Sequence, residues 1–207
     1  MCLIITRTKG GQVDWQAVDK ASTINRDGYG IFHKLAYSKV SITKSMKWND
    51  IKRIAKRLER QDESFIIHMR YATHGAVKIA NTHPFRLVDL DMVMAHNGII
   101  DSLDIPHGMC DSRVLAMHLN DDLPKDWHEQ DNEVQYVESL AGNSRLVFMT
   151  NEGEIIYINE SLGAWKDGCW YSQPRTIQKV KDTSGQRLQA LGNYMSHYDP
   201  TTWREHL

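Results

Sequence analysis

Cysteine is scarce in this chain of 207 residues: Cys2, Cys110 and Cys169 are all there are, and no two stand in a Cys-x-x-Cys pair. Three scattered thiols cannot build a disulfide framework, and without paired spacing they do not suggest zinc. A reducing compartment, the cytoplasm, is the expectation. An excess of either charge is also missing. With 25 Lys and Arg against 26 Asp and Glu, the net charge is −1. That removes the electrostatic ground for a nucleic-acid or membrane partner. No apolar run approaches the ~18 residues of a membrane helix, and the short apolar start before Arg7 is too brief for a signal peptide. Nowhere is there a Gly-x-Gly-x-x-Gly or a P-loop lysine, so a nucleotide-binding fold is disfavoured. Internal repeats and low-complexity tracts are absent as well.

What is present has the composition of a soluble globular protein, with 41% apolar and 25% charged residues. A single domain of this length buries roughly 70% of its unfolded surface, enough for a core without staples. "MCLIIT" opens the chain with a short apolar, β-branched strand over Cys2–Thr6. "RDGYGIFHK" (26–34) is a glycine-punctuated turn entering a strand, and "LAYSKVSIT" (35–43) alternates as its hairpin partner. Apolar residues recurring at Trp48, Ile51, Ile54, Ala55 and Leu58 predict a helix over 48–60, capped by Asn49 or Asp50. "SFIIHMRYA" (64–72) and "LDMVMAHNG" (90–98) are strands. A helix starts at Asp111 or Ser112 and runs to about His118, and another lies within 126–140. "SRLVFMTNEGEIIYINES" (144–161) is two strands about an Asn-Glu-Gly turn, with "GCWYSQ" as a third. Residues 1–175 are expected to form one domain, and 176–207 a tail with a helix near 185–197. Many strands with helices grouped in a few places imply α+β or a layered α/β arrangement.

Five polar clusters lie where these strands end or a helix opens: "RDGYG" (26–30), "HMRYATHG" (68–75), "NTHPF" (81–85), "AHNGII" (95–100) and "CDSR" (110–113). Such positions on a rigid sheet commonly carry catalytic groups. Each cluster alone has an ordinary structural explanation. A lone strand histidine is most often a satisfied core residue, Asn97-Gly98 a hairpin turn, and Cys2 a small buried hydrophobe. Three histidines at 74, 83 and 96 lack acidic partners at ligand spacing, so no metal is expected.

Taken together and in this order, the motifs resemble the class II glutamine amidotransferases, a family of N-terminal-nucleophile hydrolases. The resemblance is carried by Cys2 before an apolar strand, Asp27-Gly28-Tyr29-Gly30-Ile31, His68-x-Arg70-Tyr71-Ala72-Thr73-His74-Gly75, Asn81-x-His83-Pro84-Phe85, His96-Asn97-Gly98-Ile99-Ile100 and Asp111. It covers residues 2–115 well and 144–173 more loosely. One departure is Ile24, which stands where the family has an arginine, with Arg26 close by.

The resemblance implies a four-layer α-β-β-α sandwich and hydrolysis of the glutamine side-chain amide through a Cys2 thioester, with no cofactor. It makes Cys2 the nucleophile, once Met1 is removed. It makes Asn97 and Gly98 the oxyanion donors, Arg70 the grip on the substrate carboxylate and Asp111 the partner of its ammonium. Thr73 and His74 would line the carboxylate end, and Tyr71 would stand beside the nucleophile. Asp27 and Gly30 would support the nucleophile's strand, with His83 and His96 behind the reacting groups. The expected ligand is L-glutamine. No room for a second domain is expected, and the ammonia would then pass to a separate synthase. Tyr29, Tyr71, Trp165 and Trp170 are candidate docking aromatics, Trp170 more naturally a core residue. An amidase acting on another amide, or a binding module that kept the fold, remain alternatives at this level.

Overall fold

The computed structural model describes residues 2–36 and 39–177. In chain order the strands and helices are β1 (Leu3–Arg7), α1 (Trp15–Ile24), β2 (Tyr29–His33), β3 (Ser41–Ser45), α2 (Trp48–Arg60), β4 (Phe65–Met69), β5 (Phe85–Leu87), β6 (Met92–Asn97), α3 (Asp111–Asp122), α4 (Asp131–Ala141), β7 (Arg145–Thr150), β8 (Ile155–Ile158), β9 (Ala164–Lys166) and β10 (Cys169–Tyr171). The tail helix expected near 185–197 lies outside the described residues.

The strands form two antiparallel sheets, one in the order β3-β2-β4-β1-β10-β9 and one in the order β5-β6-β7-β8. Their side chains sort by the period of two. On the first sheet Ile4, Phe32 and Ile66 point inward to meet Val93, Ala95, Val147 and Met149 of the second. The alternate residues Leu3, Ile5, Ile31, Ile67 and Met69 point outward, into a cluster with Val18 and Ala21 of α1 and Ile51, Ala55 and Leu58 of α2. The outer face of the second sheet, with Met92, Met94, Leu146 and Phe148, packs on Leu115 and Leu119 of α3 and Val137 and Ala141 of α4. Apolar surface thus lies on both faces of each sheet, which only helix-sheet-sheet-helix layering can bury. The fold is the four-layer sandwich.

Several local expectations need correction. Helix α2 starts at Trp48, so Asn49 and Asp50 lie inside it. Lys47 holds the N-cap position without a side-chain cap bond. Ser45 Oγ serves the end instead, accepting from Lys47 N and donating to Asp50 Oδ2. Helix α1 escaped the sequence reading. Its signal is Asp14, whose Oδ1 accepts from Ala17 N, followed by Val18 and Ala21 on one buried side. Strand β3 begins only at Ser41, half-exposed along its length, as an edge strand is. Helix α3 runs a turn beyond His118, because Leu119 still has core to fill.

"GCWYSQ" does not extend the β7–β8 pair. As β10 it crosses to the first sheet and pairs antiparallel with β1, Ile5 opposite Tyr171. Trp170 then points between the sheets, edge-on to Tyr157 with centroids 5.2 Å apart, while Cys169 and Tyr171 face the helices. Trp170 is fully buried and Tyr29 nearly so, its hydroxyl donating to Ser22 O; both belong to the core rather than to a docking surface. Tyr71 and Trp165 are exposed.

Gly30 lies where β2 passes under the loop that precedes β5. A Cβ there would sit 2.0 Å from His83 O and 2.9 Å from Pro84 Cδ. Backbone cannot yield as a side-chain tip can. Gly30→Ala is therefore expected to lower stability by about 1–3 kcal/mol. An unchanged urea midpoint would contradict this packing.

Candidate active site

Cys2 immediately precedes β1, and pairing of Leu3 with Met69 places it beside the segment that leaves β4. Its thiol donates to Tyr71 O at 3.5 Å and accepts from Tyr71 N at 3.4 Å. That segment is itself held from the other side. Asp27 N donates to Arg70 O, Arg70 N to Gly28 O, and Ala72 N to Asp27 Oδ2 at 2.8 Å. Asp27 therefore braces residues 70–72 directly, and acts on the nucleophile's strand only through them. Gly28, at φ +133°, passes so close to Thr82 that a Cβ would lie 2.3 Å from its hydroxyl.

Cys2 opens into a narrow pocket, also lined by Arg70, Tyr71, Thr73, His74, His83, His96, Gly98, Cys110, Asp111 and Ser112. Its walls are loops tied by side chains. Arg70 is buried, donating through Nη1 to Ala76 O and through Nη2 to His74 O and Gly75 O, which leaves one Nη1 hydrogen and the Nε hydrogen over. Asn81 Nδ2 bridges Ala76 O and Gly108 O. Asp111 opens α3. Its Oδ2 accepts from Ile100 N, and its Oδ1 from Ser112 N and Ser112 Oγ. Gly98 is required by close approach, since a Cβ would fall 2.0 Å from Ser144 Oγ.

The structure thus brings Cys2, Arg70, Tyr71, Thr73, His74, His83, His96, Gly98 and Asp111 around one space. It does not bring Asn97, Asp27 or Gly30 to the pocket wall. Asn97 is fully buried behind Gly98, with Nδ2 donating to Ser172 Oγ at 2.9 Å. Cys110, Ser112 and Ser172 were not singled out in sequence as site residues. The adjacency of the first two to Asp111 was the available signal; nothing local marks Ser172.

Burial raises the Cys2 thiol above its ordinary pKa, against the opposing pull of the Tyr71 backbone bond and the Arg70 charge. Cys110 is raised by burial too, and Cys169 is pushed up to about 12 by the same cause. Three imidazoles cluster here, His83 tilted against His68 with centroids 3.8 Å apart and 6.3 Å from His96. His68 Nε2 donates to His96 O, and His96 Nδ1 meets Ser112 Oγ at 2.7 Å. Both nitrogens of His83 lack a partner among the described residues. Desolvation pushes His68 down to about 3, His96 to about 4 and His83 well below its usual value. All three are neutral packing groups near pH 7. Among the described residues no group of three or more His, Cys, Asp or Glu is placed to hold a metal ion. No helix among them is long and apolar enough to cross a membrane.

Residues 12–157 match the family described as glutamine amidotransferases class-II, and the chain belongs to that family. The matched span begins after Cys2. Among solved structures the chain is similar to glutamine phosphoribosylpyrophosphate amidotransferase from B. subtilis complexed with ADP and GMP, at 18% identity and a TM-score of 0.49, over 83% of this chain and 41% of that one. The allosteric regulatory enzyme of purine biosynthesis gives 18% identity and a TM-score of 0.50 over the same shares, which shows a common fold. A glutamine aminotransferase class-II domain protein from Silicibacter pomeroyi gives 13% and 0.44, over 82% of this chain and 87% of that one. The chain therefore spans about two-fifths of the length of the first two. No curated protein matches it in sequence.

The buried imidazoles have a measurable consequence. The unfolded chain binds their protons near pH 6.5, whereas His68 and His96 when folded do so only near 3 and 4. The unfolded state is thus favoured as pH falls below 6.5, by about 1.4 kcal/mol per pH unit for each histidine. His33, also depressed by burial, adds in the same direction. Unfolding free energy measured in urea should drop steeply between pH 6.5 and 5. A flat profile there would mean that these rings are solvated.

Proposed function

We propose that this domain hydrolyses the side-chain amide of L-glutamine to glutamate and ammonia through a thioester on Cys2. The observation that carries the reading is the Cys2 thiol, held between the N–H and C=O of Tyr71 at the mouth of a pocket that also holds Arg70, Gly98 and Asp111. With Met1 removed, Cys2 carries a free α-amine. Such amines have a pKa of about 7.7–8.0, so a useful fraction is neutral and can take the thiol proton. The thiolate then forms its bond to the amide carbon of glutamine, and the carbonyl π pair moves onto oxygen. The Gly98 N–H stabilises that oxyanion, and the Asn97 side-chain amide, which this structure holds behind Gly98 and off the pocket wall, is proposed as the second donor; a donor of this kind is worth about 10²–10³ in rate. Collapse expels ammonia, which carries off the amine's proton, and water cleaves the thioester to release glutamate.

Recognition follows from charge. Arg70 presents its positive charge and one remaining N–H to the substrate α-carboxylate, next to Thr73 and His74. Asp111 has accepted three bonds and keeps capacity for one more, which suits an α-ammonium. His83 and His96, neutral at cellular pH, shape the wall and carry no proton in the reaction. Ammonia would serve a separate synthase, with exposed Tyr71 and Trp165 as contact residues.

The test compares glutamate release by protein beginning at Cys2 with release by protein that retains Met1 or a tag. Acylating the amine removes its lone pair, so activity should fall at least a hundredfold. Equal activity of the two forms would mean that another group is the base.

A further inference from the structure

Ser172, the first residue after β10, is fully buried. Its backbone N–H donates to Ile4 O at 3.0 Å, and its hydroxyl oxygen accepts from Ile4 N at 2.8 Å. A side chain thus completes the ladder where β10 has ended, and it does so two residues from Cys2. The next residue continues the clamp, with Gln173 Nε2 donating to Cys2 O. The same Ser172 oxygen also accepts from Asn97 Nδ2 at 2.9 Å, across from the other sheet.

Hydrogen-bond accounting around this oxygen does not close. With both Ile4 N and Asn97 Nδ2 donating into it, the Ser172 hydroxyl hydrogen has no acceptor among the described residues. Asn97 Oδ1 is buried with no partner among them either. The surroundings are apolar, with Ile4, Val93 and Ala95 between the sheets, so an unpaired group is expensive there. Turning the amide by 180° about Cβ–Cγ repairs both faults. Ser172 O–H then donates to Asn97 Oδ1 while its oxygen still accepts from Ile4 N. The NH₂ group then takes the buried place Oδ1 held, where Oδ1 had no partner among the described residues.

We propose that Ser172 is a positioning residue: its hydroxyl holds the carbonyl oxygen of Asn97, directing the Asn97 NH₂ to the developing oxyanion. With Gln173 it ties that donor in register with Cys2. This rests on the function proposed above, since it presupposes that Asn97 is an oxyanion donor. The β10 end accordingly links nucleophile and oxyanion stabiliser, which come from different sheets, through two adjacent side chains. An amide left to rotate would present its oxygen to a negative charge about as often as its hydrogens.

The test is kinetic and spectroscopic. Ser172→Ala should lower kcat for glutamine about 10- to 100-fold with KM changed less than about threefold, the pattern of an interaction made in the transition state. Asn97→Ala with Ser172→Ala should lose clearly less than the product of the two single losses, because the hydroxyl's effect on the oxyanion runs through that amide while its bond to Ile4 N is lost in either background. Ser172→Thr, which keeps the hydroxyl, should recover most of the rate. Losses that multiply, or that fall on KM, would overturn the proposal. Should Ser172→Ala fail to fold, wild-type protein decides: the Asn97 side-chain NH₂ protons should show no nuclear Overhauser contact with the Ile4 amide proton, and a strong contact would overturn the assigned orientation. That readout needs no turnover. Wild-type protein that released no glutamate would therefore count against the functional reading alone.

Discussion

Strand β1 is bonded along both edges, and its register decides what the rest of the molecule can do. Leu3 stands opposite Met69 of β4, and Ile5 stands opposite Tyr171 of β10. A slip of one residue would send Leu3 and Ile5 from the helix side to the sheet interior and expel Ile4, so burial on both faces enforces the pairing. Each of these three side chains is fully buried, worth roughly 1.5–3 kcal/mol apiece. Cys2 is the residue just beyond this strand. Its place next to Arg70 and Tyr71 follows from the pairing and needs no dedicated loop.

The pocket is a meeting of strand ends and the loops they launch. Arg70 leaves β4, Gly98 follows the last residue of β6, and Asp111 begins α3. None of these can shift alone. Arg70 is anchored to three carbonyls of the loop it starts, Asn81 bridges that loop to Gly108, and Gly98 is pressed against Ser144. Neutral, tightly packed imidazoles fill the space behind, so the pocket floor carries polar atoms but no charge at cellular pH. Cys110 shares the pocket wall but is buried, and Cys169 lies away from the pocket; Cys2 is the one of the three thiols that is only partly buried.

Much of this was legible in the residues. Alternation and β-branching marked β1, β2, β4 and β6, and the 3–4 spacing of Trp48, Ile51, Ala55 and Leu58 marked α2 over its full length. The polar clusters at strand ends named the pocket residues because chemistry-bearing types stood where glycines and turns also stood. Three things were hidden, each for a physical reason. Helix α1 is short, and of its apolar residues only Val18 and Ala21 are buried, so the apolar stripe that would mark it is broken and Asp14 is its clearest signal. Periodicity reports which face of β10 is buried but not which sheet it joins, and that depends on Trp170 fitting between the sheets beside Tyr157. Ser172 acts on Ile4 and Asn97, which are 168 and 75 residues away, so no local pattern could announce it.

The central claim is that Cys2 is the reacting thiol of a glutamine-binding pocket. A glutamine analogue bearing an electrophile at the amide carbon, followed by peptide mass mapping, tests it most directly. The account predicts modification of Cys2 alone, suppressed by excess L-glutamine and absent in Cys2→Ala. Modification of Cys110 or Cys169 that persists in Cys2→Ala, or labelling of Cys2 that glutamine does not slow, would contradict it.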